Sequence, residues 1–167
     1  MLAIKILDIK DFMNKLLLGD LFDFFETVEV SITTFNTFSI EGNYHGDFFD
    51  TEKSSALKEA HCNYSSWNEL KSYCYSIIRG KRTPLQFKII FQLPYKHLLT
   101  LFERNHCPVS PELMGGLFFN IQYKNKELHC TTGISFKSFM PDSTVKQLWD
   151  SYIADFLKHS GIPFELL

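Results

Sequence analysis

The sequence predicts an α+β fold, a mainly antiparallel sheet with helices packed on it, in a pseudo-twofold β-α-β-β-(β)-α repeat. Three observations carry this. Alternating apolar and polar residues mark short strands, and apolar residues at i, i+3, i+4 and i+7 mark helices. The two patterns then occur in one order twice, over residues 3–42 and again over 85–136, with a further amphipathic helix after each copy.

In the first copy Ala3 to Leu7 reads as a strand, and Asp8 is placed to cap the helix after it. Ile9, Phe12, Met13, Leu16 and Leu17 form one apolar helical face, and Gly19 is placed to end it. Val28, Val30 and Ile32 alternate with Glu29, Ser31 and Thr33, a half-buried strand. Phe35-Asn36 reads as a turn before Phe38 and Ile40 resume the alternation. Residues 43–64 are the least regular, with room for a short strand at Phe48-Phe49 and then a loop. Trp67, Leu70, Cys74, Ile77 and Ile78 line the helix that follows.

In the second copy Leu85, Phe87, Ile89, Phe91 and Leu93 alternate with mostly polar residues, and Pro94 stands where a helix start tolerates proline. Tyr95, Leu98, Leu99 and Phe102 mark that helix's buried face, and Pro108, Pro111 and Gly115-Gly116 break the pattern. Leu117, Phe119, Ile121 and Tyr123 read as a strand, Lys124 to Glu127 as a polar hairpin turn, and Leu128 to Phe136 as the return strand. Val145, Leu148, Trp149, Tyr152, Ile153 and Phe156 line the last helix, which Gly161 and Pro163 stop. The tail Phe164-Glu165-Leu166-Leu167 is apolar enough to fold back on its own core or to dock in a partner's groove.

A chain of 167 residues with 45% hydrophobic content suits one domain over 1–167, with repeat halves of about 1–82 and 83–167. The 17 phenylalanines belong mostly in the core. A formal net charge of −2 supplies no global field for nucleic acid or anionic membrane, so polyanion binding needs a local patch. Lys5, Asp8 and Lys10 interrupt the first apolar stretch and exclude a signal-peptide core there. No run approaches the roughly 18 apolar residues of a membrane span. Cys62, Cys74, Cys107 and Cys130 are widely spaced, which reads as free thiols in a reducing cytoplasm.

The segment Ile78 to Pro84 is the best candidate site. Arg79, Lys81 and Arg82 cluster around Gly80, where a helix should end. Guanidinium groups match phosphate geometry, which suggests a nucleic-acid or phosphorylated-ligand contact. The plainer reading is that these cations complement the helix dipole. The segment is not a phosphate-binding P-loop, since Tyr75 and Arg82 stand where that motif needs glycine and Ser or Thr. Lys10, Lys15, Lys96 and Arg104 on the repeat helices could extend a basic surface.

Two weaker constellations stand beside it. Asp47 and Asp50 bracket Phe48-Phe49 with Glu41 nearby, a set of oxygens that a magnesium site or a metal-dependent enzyme would use. Solvated loop carboxylates are the plainer reading. His61-Cys62, His106-Cys107 and His129-Cys130 exceed the number of such pairs that composition predicts, which raises a metal reading. On a strand, however, His129 and Cys130 point to opposite faces. The acids Asp20, Asp23, Glu26 and Glu29 span a change from helix to strand and so do not share a face. No GxSxG, HExxH or kinase signature occurs.

The stretches IKDFMNKLLLGDLFDFF (9–25), EVSITTFNTFSIEG (29–42), GKRTPLQFKIIFQL (80–93) and CTTGISFKSF (130–139) resemble an uncharacterised family of Clostridia-type bacteria, a domain of unknown function. The resemblance runs from Met1 to about Phe156 and implies a bacterial cytoplasmic protein with no assigned activity. In topology, two β-α-β-β units are also similar to one domain of the sliding-clamp fold, whose domains join into rings with their helices facing DNA. The few cations on the repeat helices here depart from that pattern.

These observations lead to two expectations. One is a non-enzymatic cytoplasmic binding or assembly module without a cofactor, able to form a homo-oligomer and using Arg79, Lys81 and Arg82 on a nucleic acid or phosphorylated partner. The alternative is a small-ligand or metal-dependent enzyme with a site between the sheet and the irregular segment, using Asp47, Asp50 and Arg82.

Overall fold

Two sequence periods, 2 for strands and 3.6 for helices, build one sheet and a helical layer in the computed structural model, which describes residues 1–140 and 142–167. The strands are β1 (Ala3–Ile6), β2 (Glu26–Thr33), β3 (Thr37–Glu41), β4 (Gln86–Gln92), β5 (Met114–Lys124), β6 (Glu127–Phe136) and β7 (Phe164–Leu166). The helices are α1 (Ile9–Leu17), α2 (Thr51–Glu59), α3 (Trp67–Ile78), α4 (Tyr95–Arg104) and α5 (Thr144–His159). All strand pairs are antiparallel, in the order β3-β2-β4-β5-β6-β1-β7. Among the described residues no helix is long and apolar enough to cross a membrane.

The chain order strand, helix, strand, strand occurs twice, but the copies sit differently in the sheet. β4, β5 and β6 are direct neighbours, whereas β4, β5 and β6 all lie between β2 and β1. The apolar tail forms β7 and extends the sheet at β1, with Ile4 opposite Leu166.

The alternation buries one face only. Val30, Ile32, Phe87, Ile89, Phe91, Leu117, Phe119, Ile121, Leu128 and Cys130 lie beneath the helices. The other face carries a polar row that crosses all seven strands in register: Ser39, Ser31, Lys88, Gln122, His129, Lys5 and Glu165.

Aromatic rings fill the covered side. The link between α1 and β2 turns Phe22 and Phe25 into the core, where Phe25 stacks on Phe91 at 5.4 Å with 7° between the rings. Two buried indoles tie layers together. Trp67 Nε1 donates to the Leu16 carbonyl at 2.7 Å, joining α3 to α1, and Trp149 Nε1 donates to the Phe118 carbonyl at 2.8 Å, joining α5 to β5. Each satisfies a polar atom that would otherwise be costly to bury.

Several local expectations stand in the structure. Asp8 caps α1 through Asp11 N–H at 2.9 Å, and Pro94 is the N-cap of α4. Asn125 and Lys126 both have positive φ, the backbone of a two-residue type I′ hairpin between β5 and β6.

Two readings need correction. Residues 46–59 hold a 3₁₀ turn (Gly46–Phe48) and α2, not a strand and a loop. Asp50 caps α2 by accepting from Lys53 N–H at 2.7 Å, but α2 buries no residue, so it left no apolar periodicity to read. Leu85 alternates with the core residues of β4 yet is 70% exposed, because it lies beyond the strand's end.

Two of the three His-Cys pairs have a backbone explanation. His61 (φ 53°) and His106 (φ 48°) adopt the left-handed conformation just past α2 and α4. The following cysteines donate back five residues, Cys62 N–H to Leu57 O and Cys107 N–H to Phe102 O, both at 2.9 Å. These are Schellman caps, and Gly161 with Ile162 closes α5 in the same way. His129 and Cys130 lie on β6, with Cys130 buried and the His129 ring facing out toward Glu127 at 3.4 Å.

Candidate functional site

Arg79, Lys81 and Arg82 converge. After α3 ends, Gly80 takes φ 146°, a backbone that L side chains rarely adopt, and the chain turns toward β4. Leu85 N–H then donates to the Thr33 carbonyl at 2.9 Å, which pins this linker against the end of β2. The three cations line a cavity of about 440 Å³ whose other walls include Thr34, Phe35, Ile77 and Leu85. None of the three pairs with a carboxylate among the described residues. The Phe35 ring at the β2–β3 turn is 87% exposed, beside the open basic loop.

The register extends the patch. Gln86 lies opposite both Thr33 and Lys124, so the β2–β3 turn, the 79–85 linker and the β5–β6 turn stand side by side at one end of the sheet. Lys124 and Lys126 therefore join Arg79, Lys81 and Arg82 at that end. One step inward on the open face, Lys88, Asn120, Gln122, His129 and Thr131 surround a polar depression of about 210 Å³. Sequence reading missed Lys124, Lys126 and Lys88 because strand register, not chain proximity, brings them near Arg82.

The carboxylates of the irregular segment do not assemble. Asp50 is occupied as the cap of α2, Asp47 is exposed in the 3₁₀ turn, and Glu41 faces Glu29 across β3 and β2. Among the described residues no group of three or more His, Cys, Asp or Glu comes together as metal ligands would. Arg82 lies at the far end of the sheet from residues 43–64, whose base is closed by the Asn43–Tyr64 bridge next to the start of β2, where Glu26 bridges Ser66.

A second cleft does lie between the sheet and that segment. It measures about 440 Å³ and is built on Glu26. Phe24 and Glu26 come from the start of β2, Tyr44, Cys62 and Tyr64 from the flap over 43–64, Glu69 from the first turn of α3, and Lys96 and His97 from the first turn of α4. Glu26 is 4% exposed, and neither carboxylate oxygen has a hydrogen-bond partner among the described residues. Burial pushes its carboxyl up to about 7. Burial, with Lys96 beside it, holds His97 below the ordinary imidazole value. Burial and the nearby Glu26 raise the Cys62 thiol, so this cysteine is not an activated thiolate. Tyr44 is pushed up to about 12 by burial and by its 2.8 Å hydrogen bond to Glu69. The only sequence signal for Glu26 was an acid directly after Phe24-Phe25, at the mouth of a strand.

No curated protein and no solved structure matches the chain. Residues 15–165 match the family described as "Family of unknown function (DUF5721)", and the chain belongs to that family.

Proposed function

We propose that this chain is a non-enzymatic binding module whose basic end takes the phosphate backbone of a single-stranded nucleic acid. The observation that carries the reading is the convergence of Arg79, Lys81 and Arg82, without carboxylate partners among the described residues, on one cavity beside an exposed phenylalanine. Unpaired guanidinium groups bind phosphate oxygens bidentately, and an exposed ring gives a base a surface to stack on. Lys124 and Lys126 lengthen the track along the sheet end. A concentrated patch of this kind acts locally despite the net charge of −2.

Fluorescence anisotropy with a labelled single-stranded oligonucleotide tests this. Binding should weaken with salt, and the triple variant Arg79→Ala, Lys81→Ala, Arg82→Ala should lower the slope of log affinity against log salt by about 2, the share of roughly three phosphate contacts. A triple variant that folds normally and binds with unchanged affinity and slope would remove the basis for the reading.

A further inference from the structure

The Glu26 cleft presents a different chemistry from the basic end. A buried carboxylate normally accepts several hydrogen bonds, and here both oxygens accept none. The group is held at one wall of a cleft of about 440 Å³, large enough for a small organic molecule. The rings of Phe24, Tyr44 and Tyr64 line the same cleft, and aromatic faces attract cations. Glu69 adds a second carboxylate. One of its oxygens is committed to the Tyr44 hydroxyl at 2.8 Å and to Ser66 N–H at 2.9 Å.

The positive groups nearby leave Glu26 unsatisfied. Lys96 is exposed and forms no ion pair among the described residues, and burial, with Lys96 beside it, disfavours the charged form of His97. A lone buried carboxylate does not make a divalent-metal site, since such ions take several oxygen ligands. The flap's helix α2 buries no side chain; the Asn43–Tyr64 bridge closes the flap's base, and the Tyr44–Glu69 hydrogen bond and the His61 ring, 4.4 Å from that of Tyr95, hold the flap to α3 and α4.

We propose that the cleft beneath the flap is a binding site for a small organic cation, an amine or guanidinium, whose N–H groups satisfy the Glu26 carboxylate and whose charge is caged by the aromatic walls. In the unliganded chain burial keeps the carboxylate oxygens dry and about half protonated at pH 7. The titratable and charged groups facing Glu26 are Tyr44, Cys62 and Tyr64 from the flap, Glu69 from α3, and Lys96 and His97 from α4. Burial puts the titration of Glu26 near 7, so its charge changes between pH 6 and 8.

Calorimetric titration of the full chain with putrescine and with agmatine tests this, with 1,4-butanediol as the uncharged probe of matching length. Either amine should bind about tenfold more tightly at pH 8 than at pH 6, since the ionised fraction of a carboxyl titrating near 7 changes by that factor. The diol should not bind. Glu26→Gln should lose at least tenfold at pH 8, Lys96→Ala should bind as well as the parent or better, and His97→Asn should keep the pH dependence. No binding of either amine at millimolar concentration and pH 8 would overturn the proposal, as would equal binding to Glu26→Gln. If Glu26→Gln does not fold, amine binding to the parent chain that is flat between pH 6 and 8 would overturn it instead.

Discussion

Replacing Glu26 with glutamine keeps the side chain's shape and removes its ability to ionise. The consequence follows from where its proton goes. In the unfolded chain the carboxyl loses its proton near the ordinary value of 4.5, whereas burial holds it to about 7 in the folded chain. Between those values the folded state binds the extra proton, so stability falls as pH rises, by up to 1.36 kcal/mol per pH unit. Below the lower value both states are protonated and the group contributes no pH dependence. Across the window the parent chain loses about 3 kcal/mol, and Glu26→Gln is spared that loss. For a chain of this size that corresponds to a melting-temperature gap of about 6–12 °C, small at pH 4.5 and fully open above pH 8. Thermal and urea unfolding of both proteins, followed by circular dichroism from pH 4.5 to 8.5, reads the gap directly. A difference that stays constant with pH would refute the reasoning. A Glu26→Gln protein destabilised most at high pH would refute it more sharply, because it would show that the ionised carboxylate has a partner in the folded chain.

Other positions give independent expectations. A Cβ added at the buried Gly42 would stand 1.6 Å from the Thr27 carbonyl oxygen, so Gly42→Ala should destabilise by about 3 kcal/mol or more in urea unfolding, through overpacking against backbone. Trp67→Phe strands the buried Leu16 carbonyl that the indole satisfies and removes buried volume, and should cost about 2–3 kcal/mol in the same assay. His106 pays for a left-handed backbone at an exposed helix cap, so His106→Gly should raise stability by roughly 0.5–1 kcal/mol, and a loss would contradict the capping account.

The legible parts of this chain were those in which one residue pattern decides one local outcome. Alternation in 85–93 and 117–123 gave β4 and β5, and the apolar spacing of α1, α3, α4 and α5 gave the covered face. Asp8, Pro94 and Gly161 marked ends that the backbone uses as such. The illegible parts depended on what lies across space. α2 buries nothing, so its only sequence mark was the cap Asp50, which reads equally well as a loop carboxylate. The excess of His-Cys pairs suggested metal chemistry, but two of the three follow from backbone needs at helix ends, where histidine takes a conformation usually left to glycine. The basic loop at 79–82 was visible as a run, whereas Lys88, Lys124 and Lys126 joined it only through register. Glu26 was hidden for the same reason, since its isolation comes from Phe24, the flap and α4, which are distant in sequence or carry no ligand motif.

The most direct test of the central reading is an amide NMR titration of the isotope-labelled chain with a single-stranded oligonucleotide. The account predicts shift changes at residues 34–36, 79–85 and 124–126, the three turns that share one end of the sheet. Changes confined to the flap and the Glu26 cleft, or none at saturating oligonucleotide, would contradict it.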